Sequence, residues 1–104
     1  MNKMLREAQR MQEELAKAQE AAASEIVEAS AGGGMVTVKA SGAGDIVEIK
    51  IDPRAIDPDD PEILEDMILA AVSEALRSAR SLMESKMSGL IPGDLGGLGG
   101  LLGG

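Results

Sequence analysis

Apolar residues open the chain with spacings of four, three, four, three and four: Met4, Ala8, Met11, Leu15, Ala18 and Ala22. That is the period of one helix face. The Ala, Gln, Glu, Lys, Leu and Met residues around it all favour helix, so a helix is predicted over residues 3–23. Half of the seam is alanine, too small for a stable coiled coil of about three heptads. The C-terminal half of this helix is therefore expected to pack on other elements and the N-terminal half to project. The period then falls to two. Residues 24–31 alternate only partly. In 35–41, Val36, Val38 and Ala40 share one face, with Met35, Thr37, Lys39 and Ser41 opposite. In 45–51, Val47, Ile49 and Ile51 oppose Ile46, Glu48 and Lys50. Turns at Gly32-Gly33-Gly34 and Gly42-Ala43-Gly44 join these runs, which is a meander signal. Pro53 ends the third strand because it cannot donate to a ladder. A short connection over 54–59, with one helical turn, leads to a last helix with Asp60 as N-cap and Pro61 at its first position. Its apolar stripe runs from Ile63 and Leu64 to Leu82 and Met83 and is predicted to cover the sheet. Gly89 is the expected stop.

The predicted order is α-β-β-β-α: an α+β fold with a three-stranded antiparallel meander between long N- and C-terminal helices. Residues 1–88 form a single domain. Residues 89–104, GLIPGDLGGLGGLLGG, carry too many glycines for any periodic face and read as a flexible tail. The sharper alternative is a docking segment whose leucines seat on a partner or a neighbouring copy.

Composition removes most chemistry. The 104 residues contain no Cys, no His and no aromatic side chain. There is no disulfide framework or thiolate metal site, and the commonest general base and transition-metal ligand is missing. The chain is therefore expected not to be an enzyme, with no cofactor, no metal and no small-molecule substrate. Without Phe, Tyr or Trp it cannot stack bases as single-strand binders do, so any nucleic-acid contact must run through Arg and Lys to phosphate. The core must be built from Ile, Leu, Val, Met and Ala, and a small domain so filled is marginal alone; association is expected. The start has no apolar leader and no run reaches the roughly 20 apolar residues that span a bilayer, so a cytoplasmic protein without a membrane partner is expected.

The formal net charge is −8, but it is unevenly spread. Residues 45–66 hold nine carboxylates against Lys50 and Arg54, seven net negative charges in one block. Residues 1–12 hold Lys3, Arg6 and Arg10 against Glu7, and residues 77–86 hold Arg77, Arg80 and Lys86 against Glu84, each net +2. Lys3, Arg6, Arg10 and Lys17 fall on the helix face turned away from the apolar seam. Screening acts over about 10 Å at 0.1 M salt, so local sign can outweigh the total. Two plainer readings compete. The first-helix cations can form i,i+4 pairs, Glu13–Lys17 and Arg10–Glu14, worth a few tenths of a kcal/mol. The last-helix cations can simply complement the negative end of a helix dipole.

Several words, in order, carry a resemblance: Ala8-Gln9-Arg10-Met11-Gln12, Gly34-Met35-Val36-Thr37-Val38, Gly42, Ile51-Asp52-Pro53, and Leu64-Glu65-Asp66-Met67-Ile68-Leu69-Ala70-Ala71. Across residues 1–88 the chain resembles the YbaB/EbfC family of bacterial nucleoid-associated proteins. The resemblance implies a tweezer-like homodimer whose helices protrude and bind duplex DNA with limited sequence preference, with a part in nucleoid organisation or gene expression. It places DNA contact on Lys3, Arg6, Arg10 and Lys17 in the first helix and on Arg77, Arg80 and Lys86 in the last, Lys17 being the one best explained as structural. The partners expected are double-stranded DNA and a second copy of the chain. The rival reading is a protein–protein interaction module or scaffold whose arms grip another protein without direct DNA binding.

Overall fold

A computed structural model describes residues 2–89. The elements are α1 (Asn2–Ser24), β1 (Ile26–Ala31), β2 (Val36–Ser41), β3 (Ile46–Ile51), a 3-10 turn at Pro53–Ala55 and α2 (Pro61–Ser88). The predicted α+β order stands, with boundaries within about two residues. The strands form one antiparallel sheet in the order β1-β2-β3. The tail beyond Gly89 lies outside the described residues.

The turns follow from their glycines. Gly32, Gly33 and Gly34 all adopt positive φ, at 64°, 68° and 91°, a region costly for residues with a Cβ. This lets β1 reverse into β2 with Ala31 opposite Val36 and Ile26 opposite Ser41. The second turn is tied to the first helix. Gly42 N–H donates to the Glu25 carbonyl (2.9 Å), and Ala43 N–H donates to the Ala23 carbonyl (3.3 Å). Gly42 is glycine because of proximity: a Cβ there would run into the Ala22 carbonyl oxygen.

Val36, Val38 and Ala40 are completely buried, as the alternation predicts. Ala71, Ala75 and Ala79, one α2 stripe at i, i+4 and i+8, are equally buried. These small side chains let the helix lie close on β1 and β2, the strands it packs against. Eight described apolar residues are fully enclosed, six of them alanine and the other two Val36 and Val38. At about 1.5–3 kcal/mol for a fully buried valine, this core is thin.

The apolar stripe of α2 does not cover the whole sheet, contrary to the sequence reading. On β3, Ile46 is 37%, Val47 54% and Ile49 46% exposed. The pairing also slips between Lys39 and Ala40, so that Lys39 faces Glu48 and Ala40 faces Ile46; Val47 is the extra residue of this bulge. A single helix about 10 Å wide centred over β1 and β2 leaves most of a third strand uncovered when strands are about 4.8 Å apart; of β3 only Ile51, at its end, packs on the core.

Asp60 is the N-cap of α2 and Pro61 follows at the first position, but the Asp60 side chain makes no capping hydrogen bond. The capping chemistry lies one turn earlier. Asp52 accepts from the Arg54 backbone N–H (2.9 Å) and from its guanidinium (Nη2, 2.8 Å).

Two outcomes follow. Gly42→Ala should lower stability by about 1–3 kcal/mol, the usual cost of forcing a group into filled space, read as a lower urea midpoint. The Arg54 side-chain and backbone hydrogen bonds hold the Asp52 carboxyl at about 2, below its ordinary 3.8. A carboxyl depressed in the folded state stabilises fully above its unfolded value and loses that contribution as pH falls towards the folded one. NMR titration should place the Asp52 midpoint near 2, and Arg54→Ala should return it towards 3.8.

Candidate nucleic-acid interface

The first helix is bare over most of its length. Every described residue from Asn2 to Lys17 is exposed; Ala18 is half-buried and Ala22 buried. The expected division, C-terminal half packed and N-terminal half projecting, is therefore what the fold shows. Ala22 lies against Gly42 of the β2–β3 turn, and Gln19 and Ala23 line a cleft shared with Arg80, Met83 and Glu84 of α2, while the larger Met4, Met11 and Leu15 stay exposed.

At about 100° per residue, Lys3, Arg6, Arg10 and Lys17 fall within one narrow sector of α1, roughly opposite the apolar seam. Among the described residues none of the four has a carboxylate within 4.0 Å. The i,i+4 pairs Glu13–Lys17 and Arg10–Glu14 are not formed at that distance. The helix thus presents a line of cations with no competing acid in contact. Lys3, Arg10 and Lys17 recur every seven residues, roughly 10 Å apart along the axis.

The three cations of α2 do not act as one group. Arg77 is ion-paired to Glu74, one turn back on its own helix. Lys86 reaches across to Glu25 (3.7 Å), tying α2 to the α1–β1 junction. Arg80 has no carboxylate within 4.0 Å among the described residues. It lines a cleft of about 480 Å³ with Gln19, Ala23, Ala43, Met83 and Glu84. The structure therefore brings Arg80 beside the packed end of α1 and engages Arg77 and Lys86 in local pairs. The cleft was missed from sequence, because it needs the β2–β3 turn brought against both helices, and only the close approach at Gly42 hints at that.

The acidic block sits elsewhere. Asp57, Asp59 and Asp60 precede α2, and Glu62, Glu65 and Asp66 occupy its first turns. α1 meets α2 near Arg80 and Glu84, about 20 residues or roughly 30 Å along the helix from Asp60. That is several screening lengths at 0.1 M salt. Among the described residues no helix is long and apolar enough to cross a membrane.

Comparison with known proteins gives concordant results. The profile of the YbaB/EbfC DNA-binding family matches residues 1–95, seven residues past the domain end expected at 88. A nucleoid-associated protein of Acetivibrio thermocellus is 50% identical over 101 residues, covering 97% of this chain and 88% of that protein. One from Ruminiclostridium cellulolyticum is 48% identical, covering 97% and 87%, and one from Saccharopolyspora erythraea 46% identical, covering 97% and 89%. The crystal structure of an uncharacterized Helicobacter pylori protein, HP0035, superposes with a TM-score of 0.68 at 21% identity, over 82% of this chain and 89% of that one; at that identity the likeness concerns the fold.

If the Lys86–Glu25 pair fixes the angle between the helices rather than supplying stability, Lys86→Ala should cost less than about 1 kcal/mol, as exposed pairs do. Amide exchange should rise in residues 18–25 without a matching rise in β2.

Proposed function

We propose, from the premise that this chain belongs to the YbaB/EbfC DNA-binding family, that it holds duplex DNA through backbone phosphates with the cationic face of α1. It acts as a nucleoid-associated protein. The observation that carries the interface is the row Lys3, Arg6, Arg10 and Lys17 on an exposed helix, with no carboxylate in contact among the described residues. Lys and Arg at such positions displace condensed counterions from DNA, a term that needs no base reading. This suits a chain with no aromatic residue to stack. Arg80 is the α2 cation best placed to join them. Arg77 and Lys86 contribute less, since each already has a carboxylate partner.

The functional unit is a homodimer. The support is the uncovered apolar strip of β3, Ile46, Val47 and Ile49. Exposed apolar surface on a sheet marks association sites, and a core of two valines and six alanines needs the added burial. Pairing two protomers doubles the cationic arms on one particle. Two weak contacts joined rigidly gain avidity without new chemistry, and a bivalent grip can bend or bridge DNA without a base code.

Three measurements test this reading. Arg6→Glu combined with Arg10→Glu should abolish the mobility shift of duplex DNA while sedimentation shows the same oligomer; unchanged affinity would move the interface off α1. With about six phosphates neutralised per dimer, log affinity against log salt should fall with a slope near −5; a flat response would rule out phosphate contact. Val47→Lys with Ile49→Lys should shift the particle to a monomer, with DNA affinity reduced by loss of the second arm. Failure to bind duplex DNA at low salt, with the dimer intact, would leave the arms to a protein partner.

A further inference from the structure

The second face of α1 is the most conspicuous surface that DNA contact does not use. Met4 is 75%, Leu5 63%, Met11 50% and Leu15 37% exposed. They continue the stripe whose inner members are the half-buried Ala18 and the buried Ala22. Met4 to Leu15 spans about 17 Å at 1.5 Å per residue, room for three turns of a second helix. An apolar row left in water is costly. Two of its four large side chains are methionine, an unbranched, polarizable residue that adapts to the shape of whatever it meets.

The borders of this row differ from each other. At about 100° per residue, Glu7 and Glu14 flank it on one side, and Leu5, Gln12 and Gln19 flank it on the other. One border is therefore acidic and the other neutral. Among the described residues neither Glu7 nor Glu14 has a cation within 4.0 Å. Lys3 and Arg10 stand one turn back from these two carboxylates and farther round from the seam, so an incoming helix meets the acids first.

That asymmetry selects the occupant. A second α1 laid antiparallel sets Glu7 and Glu14 against the same carboxylates of the other copy, and like charges so placed repel. Laid parallel, it offers them only Leu5 and Gln12 counterparts, with no charge to meet. A helix with cations beside its own apolar stripe satisfies both features at once. Lys and Arg lay their aliphatic stems on apolar surface while their heads reach outward, here to Glu7 and Glu14. Apolar anchors at helical spacing are the usual content of such helix-on-helix recognition.

We propose that the apolar seam of α1 receives an amphipathic helix of a different protein, its leucine-like residues over Met4, Met11 and Leu15 and its Lys or Arg residues at Glu7 and Glu14. The row Lys3, Arg6, Arg10 and Lys17 lies on the other side of α1, so the arm can carry this partner and keep its cationic face free. The docking does not rest on DNA binding and can fail or succeed separately from it.

Two synthetic helical peptides of three heptads serve as probes. Both carry a leucine stripe; one has lysine on both flanks and the other glutamate. Each is added at low salt to the full chain labelled at its methionine methyls and backbone amides. The lysine peptide should move the Met4 and Met11 methyl signals and bind severalfold tighter than the glutamate peptide. Glu7→Lys combined with Glu14→Lys, both at exposed positions, should reverse that preference. Equal affinity for the two peptides, or no binding of either, would overturn the proposal. So would shifts centred on residues 57–66 with Met4 and Met11 unmoved, the mark of a basic peptide held by the acidic block alone. Met4 and Met11 signals that move as the protein is concentrated without peptide would overturn it in favour of a second copy.

Discussion

The close contact between the alanine stripe of α2 and the valine face of β2 is the constraint from which the rest of this protein follows. With no aromatic side chain and few large aliphatic ones, the chain can bury a helix deeply only by bringing backbones together, and Ala71, Ala75 and Ala79 permit that. Once α2 sits low over β1 and β2, there is no second helix to cover β3. The strip Ile46, Val47 and Ile49 is left open, and α1 rests by its last turns on the C-terminal end of α2 and on the β2–β3 turn. The open strand and the projecting arm are thus two consequences of one packing choice. The first is the surface proposed to meet a second copy, and the second the surface proposed to meet DNA.

Charge is arranged on the same plan. Carboxylates gather where α2 begins and stabilise the positive end of its dipole, while α1 leaves the body near the other end of that helix. Among the described residues, four of the six cations outside α1 are matched locally: Lys39 with Glu48 at 3.4 Å, Arg54 with Asp52, Arg77 with Glu74, Lys86 with Glu25. On the arm they are not. A protein of net charge −8 can therefore hold a polyanion, provided contact is limited to that arm and salt is moderate.

Much of this was legible in the sequence, and the parts that were not share a cause. The period of 3.6 over α1 and α2, the alternation around Val36 and Val38, and the glycines at 32–34 are local signals, and they located every element. The projecting half of α1 was legible because its seam shrinks to Ala18 and Ala22 only at one end. Tertiary facts were hidden. The bulge beside Ala40 depends on two strands at once. The failure of α2 to cover most of β3 depends on where the helix lies across the sheet. The pairing of Lys86 with Glu25 joins residues 61 positions apart, whereas the i,i+4 pairs that sequence spacing offered on α1 do not form. The candidate cations of α1 were recognisable as a face, while those of α2 were separable only once their partners were seen.

The central claim, that DNA meets the cationic face of α1 and avoids the acidic start of α2, can be read residue by residue. Amide NMR shifts of the isotope-labelled protein, followed as a short duplex is added at low salt, report where the two touch. The account predicts the largest changes over residues 3–17 and around Arg80, with residues 57–66 unmoved. Changes centred on the sheet or on residues 57–66, with α1 silent, would contradict it.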